Sequence, residues 1–210
     1  MDIKSLKSFL EFNYEPINTK YVLSRMLAIL IFNLLVIYLS KIKLFSILIY
    51  LMFYLFFIGL SIRILIIKNR NYKNKFLFDG VFSIYLSILF FRMSYLLFTF
   101  GKPNNYLIFF LMIFIMCANI FFVLKIVKNN IKKKKYNEKN NILKIYIFSL
   151  VGAVIGIVFA RVVTPSFNQE FMLIVVSFIF FLMALIFETG IIEFLKLYYY
   201  KKYKEELNII

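Results

Sequence analysis

Residues 130–141 read NIKKKKYNEKNN, Asn130 to Asn141, with five lysines and one glutamate in twelve residues. On both sides the chain is almost entirely Ile, Leu, Phe, Val and Met. A block of like charge between long apolar runs stays out of the bilayer core, and Lys and Arg are retained on the cytoplasmic side. The stretch therefore predicts the main cytoplasmic loop of a multi-pass membrane protein, and it sets the direction of every other segment.

The rest of the composition points the same way. Of 210 residues, 63% are hydrophobic and 20% aromatic. Soluble domains are roughly 45–50% apolar, so a water-soluble fold of this chain would leave large greasy patches exposed. The net charge of +16 invites a nucleic-acid reading. The lysines sit between apolar runs, however, which is the pattern of topology signals and of contacts with anionic lipid head groups. No nucleic-acid partner is expected.

Working outward from the lysine loop, apolar runs of suitable length fall at about 21–40, 44–67, 76–100, 106–124, 142–163 and 171–190. A helix needs about 20 residues to cross a ~30 Å core. Lys plus Arg in the segments between and around these runs, taken in order, number 4, 2, 5, 1, 8, 0 and 4. The alternation supports six spans with both termini cytoplasmic. The expected fold class is all-α: a polytopic integral membrane helix bundle of six transmembrane helices, or five if the turn at Lys41-Ile42-Lys43 fails to make residues 21–67 a hairpin. The main cytoplasmic loop is 125–141, and residues 199–210 form a cytoplasmic tail.

Residues 1–20 read as an amphipathic interfacial segment. Ile3, Leu6, Phe9 and Leu10 recur at helical spacing, and Pro16 ends the helix. No cleavable leader pattern follows the first apolar run. Short loops and the absence of extra domains suggest a bacterial cytoplasmic membrane protein.

Several chemistries lack their residues. There is no histidine, so neither a Ser-His relay nor a histidine zinc site is available. Cys117 is the single cysteine and lies in an apolar run, which excludes an intrachain disulfide. Asp2 and Asp79 are the only aspartates. Asp79-Gly80 faintly resembles the start of a lipid head-group transferase motif, but the further aspartates that metal site requires are missing. No catalytic residue, metal or cofactor is expected. A membrane enzyme would need Asp79, Glu188 and Glu193 to converge on a metal.

Charged residues inside spans are the default functional candidates, because they are costly in lipid. Arg63, Asp79, Glu188 and Glu193 lie near the expected cytoplasmic ends of their helices, where they can snorkel or pair. Arg92 lies deeper, on the side of its helix nearly opposite the face shared by Asp79, Ser83, Ser87 and Ser94. With Arg161 and Lys102, also toward the outer side, it outlines a basic pocket for an anionic ligand or lipid head group, to which Asn33 and Asn119 would add hydrogen bonds. The competing expectation is that Arg92 bonds to backbone carbonyls or tyrosines and only fixes packing. Separately, Gly152, Gly156 and Ala160 form a small-xxx-small face that lets another helix approach closely. That helix belongs either to the same chain or to a membrane-protein partner or second copy.

Two functional readings follow. One is a non-catalytic subunit of a transport system, permease-like, binding a solute or lipid between helices. In size and layout the chain is similar in kind to the substrate-binding membrane subunits of vitamin-type transporters, though no motif carries that likeness. The other is an accessory or immunity-type protein that acts by binding another membrane protein or a toxin.

Overall fold

A computed structural model describes residues 3–12, 17–40, 44–67, 72–100, 105–133 and 169–207. The expected span 142–163 and most of the lysine loop lie outside the described residues. Every regular element described is an α-helix: α1 (Ile3–Glu11), α2 (Thr19–Ser40), α3 (Leu44–Ile67), α4 (Tyr72–Phe98), α5 (Tyr106–Lys132), α6 (Gln169–Glu188) and α7 (Ile191–Leu207).

Four stretches among the described residues are long and apolar enough to cross a membrane: Thr19–Leu39, Tyr72–Phe98, Tyr106–Lys132 and Glu170–Tyr203, the last running from α6 into α7. The 24-residue α3 is a fifth apolar helix. Two helix starts are fixed locally. Asn18 accepts a hydrogen bond from the Tyr21 backbone N–H at 2.7 Å, and Asn105 accepts one from Ile108 N–H at 3.2 Å. Each occupies one of the donors left over in a first helical turn.

α4 is the spine of the bundle. α6 runs antiparallel along it: Ser87 Oγ donates to the Ala184 carbonyl at 2.8 Å, and seven residues further along α4, Ser94 meets Ser177 seven residues earlier in α6, at 3.2 Å. On its other side, Phe78, Phe82 and Tyr85 pack on Phe57 of α3, with the Phe57 and Phe78 rings stacked at 5.3 Å. Val22, Ile29 and Val36 of α2 complete this core. Large apolar side chains on the outer faces, such as Phe56, Leu107 and Phe114, are exposed, as suits a lipid-facing surface.

Helix ends depart from the expected spans because tertiary packing extends them. α5 runs to Lys132, two turns into the expected loop, since Val127 and Ile131 are buried against Leu6, Phe9 and Leu10 of α1. The apolar stripe of α1 is thus covered by protein. Ser5 Oγ donates to the Ile131 carbonyl at 2.6 Å, and Lys196 of α7 donates to the Phe12 carbonyl at 3.0 Å. α4 starts four residues early, at Tyr72, where Tyr72 stacks on Tyr200 of α7 at 6.1 Å. The last apolar run is broken at Thr189-Gly190, and α7 continues as a separate helix against α1 and α4.

Candidate functional site

The polar groups of the bundle fall into three sets strung along α4. The first is at the start of α4. Asp79 Oδ1 accepts from Arg25 Nη1 at 2.7 Å and from the Tyr21 hydroxyl at 2.7 Å. Its other oxygen accepts from Lys75 at 2.8 Å. Lys75 and Asp79 are one helical turn apart, the spacing at which opposite charges meet. The Arg25 guanidinium also lies over the rings of Tyr21 and Phe82, 4.1 and 4.4 Å from their centroids, which adds cation–π attraction. One carboxylate thus holds two cations, and the three side chains are mostly buried.

The second set is at the break between α6 and α7. Asn119 Nδ2 donates to Glu188 Oε2 at 2.8 Å and to the Leu185 carbonyl at 3.1 Å, tying α5 to α6. Glu193 pairs instead with Lys196 at 3.0 Å. Asp79, Glu188 and Glu193 therefore each have separate partners, and no group of metal-ligating side chains forms among the described residues.

The third set is Arg92. Phe78, Tyr85 and Arg92 are spaced by seven, so they share one face of α4. Phe78 and Tyr85 use that face against Phe57 of α3. Arg92 continues it two turns further, six residues, or about 9 Å, from the end of α4. Its Nε is buried and has no hydrogen-bond partner. No carbonyl or tyrosine among the described residues accepts from this Nε.

No family model, curated protein or solved structure matches the chain. The site is therefore read from its own chemistry.

The structure does not bring all the expected pocket residues together. Asn33 Nδ2 donates to the Tyr85 hydroxyl at 2.9 Å and to the Ile29 carbonyl at 3.0 Å, so it joins α2 to α4. Asn119 is committed to Glu188 and Leu185. Neither asparagine is a partner of Arg92. Lys102, Arg161, and the Gly152, Gly156 and Ala160 face lie outside the described residues. The Ser87 and Ser94 face of α4 is used up in hydrogen bonds to α6.

Sequence reasoning passed over Tyr21, Arg25, Lys75 and Tyr85. The four-residue spacing of Lys75 and Asp79 was a usable signal for one pair. Nothing in the sequence indicates that Arg25, nearly two turns into α2, reaches the same carboxylate. Chemically, the arrangement offers one buried, unpartnered N–H, Arg92 Nε, on a half-buried arginine within an apolar bundle.

Proposed function

We propose that this chain is a non-catalytic six-span membrane protein, a small transport-system subunit that binds an anionic solute or lipid head group between its helices at Arg92. Its termini and lysine loop face the cytoplasm. The observation that supports this reading is the buried, unpartnered Nε of Arg92. A guanidinium in an apolar setting with no counter-charge is costly. That cost is recovered when an anion supplies the missing acceptors, and guanidinium is suited to carboxylate and phosphate oxygens. Lys102 and Arg161 would add positive charge from neighbouring segments.

Thermal unfolding in detergent tests the proposal. Inorganic phosphate or a phospholipid head-group analogue stabilises the wild type, because a ligand that binds only the folded state raises its stability. The shift disappears in Arg92→Gln and is partly kept in Arg92→Lys. Equal shifts in all three proteins contradict the assignment. The accessory or immunity reading rests on the Gly152 and Gly156 face, and no described contact favours it.

A further inference from the structure

A second site lies where α6 stops. Glu188 is the last residue of α6, and it is 3% exposed. Among the described residues, its single hydrogen-bond partner is the neutral amide of Asn119, at 2.8 Å. A buried carboxylate is normally matched by a cation; among the described residues Arg25 and Lys75 are held by Asp79 and Lys196 by Glu193. α4 places Ser83 against Gly190 and Ser87 against Ala184, and one turn before Ser83 comes Asp79, which itself holds Arg25 and Lys75. α5 presents Asn119 and carries no charge between Tyr106 and Lys125. α7 presents Glu193, closed on Lys196.

The backbone adds to the imbalance. The C-terminal end of a helix carries partial negative charge, and Glu188 sits on it. The chain then breaks at Thr189-Gly190. Thr189 Oγ1 folds back onto the Ile186 carbonyl at 2.6 Å, and Gly190 N–H onto the Phe187 carbonyl at 3.0 Å. Broken helices are a recurrent setting for proton and cation coupling in membrane proteins, and here the Leu185, Ile186 and Phe187 carbonyls are already occupied, which leaves the Glu188 carboxylate as the titratable group at the break. Asn119 N–H occupies one carboxylate oxygen, Oε2, which leaves the second oxygen to take up a proton.

We propose that Glu188 is a reversible proton-binding site at the α5–α6 seam. The step is simple protonation, carboxylate plus proton giving carboxylic acid, with no other atom changed. In the acid form Glu188 packs in the seam beside Asn119. In the carboxylate form it requires water or a cation, and the seam between α5 and the α6–α7 break must loosen to supply one.

Labelling of the intact chain in lipid vesicles with dicyclohexylcarbodiimide tests this without a variant. The acid O–H adds across one C=N bond of the reagent, and the O-acylisourea rearranges to a stable N-acylurea that peptide mass mapping locates. The expected result is adduct on Glu188, decreasing as pH is raised and unchanged when choline replaces sodium. As a second readout, infrared difference spectra between acid and alkaline pH should contain a protonated carboxyl C=O band that is lost in Glu188→Gln and retained in Glu193→Gln. Absence of Glu188 from both readouts overturns the proposal. Suppression of the adduct by sodium at fixed pH also overturns it, in favour of a metal-cation site. Substitution of Arg92 leaves both readouts unchanged, so this site and the anion site succeed or fail separately.

Discussion

A β-carbon on Gly190 would stand 2.1 Å from Cβ of Ser83. The first turn of α7 therefore lies directly on α4, and only a residue without a side chain fits there. The neighbouring atom is itself a β-carbon, so no rotamer change relieves the overlap. Gly80 is a milder case: its β-carbon would meet the outer edge of the Phe194 ring at 2.7 Å, and that ring can turn. Gly59 has no atom within 4 Å.

The three glycines give an ordered prediction. Gly190→Ala destabilises by about 1–3 kcal/mol, the range for forced overpacking, and Ser83→Gly in the same chain restores most of it. Gly80→Ala costs less. Gly59→Ala is neutral or stabilises by up to about 1 kcal/mol, through helix propensity. Unfolding midpoints in one detergent rank the variants, and an equal loss at Gly59 and Gly190 would contradict the packing described.

Asp79 is the counter-charge for two cations. Asp79→Asn keeps its shape and removes the carboxylate that both cations share, which is expected to cost about 3–5 kcal/mol, as when one partner of a buried pair is removed. Asp79→Asn combined with Lys75→Met should recover part of that loss. Additive losses in the double variant would show that the three groups do not act together. By contrast, Ser94→Ala should cost only about 0.6 kcal/mol, typical of a hydrogen bond between membrane helices.

The α1 helix is held by Leu6, Phe9 and Leu10 against α5 and α7. Phe9→Ala removes a fully buried ring and should cost about 3–5 kcal/mol locally. Amide exchange is expected to rise across residues 3–11 and in the last turns of α5, with α4 unchanged. Protection of α1 equal to that of the wild type would mean that lipid, and not α5 and α7, holds this helix.

The membrane threading is open to direct labelling. In a Cys117→Ser background, a single cysteine at Lys133 should resist an impermeant maleimide added outside intact cells and react after the membrane is opened. Labelling from outside would reverse the proposed orientation.

Helix type and approximate spans were legible because long apolar runs punctuated by lysine permit little else. Helix ends were less so. Val127 and Ile131 follow Lys125 in a basic stretch, and only the arrival of α1 makes them core. Asp79 and Glu188 read alike in sequence, as acids near a helix end, yet one gathers two cations and the other a single amide. That difference depends on which helix lies beside each, which spacing along one chain does not encode. The unusual position of Arg92 was readable from its depth in an apolar run. The unpartnered Nε was not, because carbonyls and tyrosines are available to any arginine in such a sequence. The serine face was visible as a pattern, but its use in binding α6 emerged only from the antiparallel register.

Arg92 is proposed to take an anion between the helices. Native mass spectrometry of the protein released from mild detergent, comparing wild type with Arg92→Ala, tests it most directly. A phosphate- or carboxylate-bearing molecule is expected on the wild type and lost from the variant, with both chains folded. Ligand-free species in both, or the same adduct in both, would contradict it.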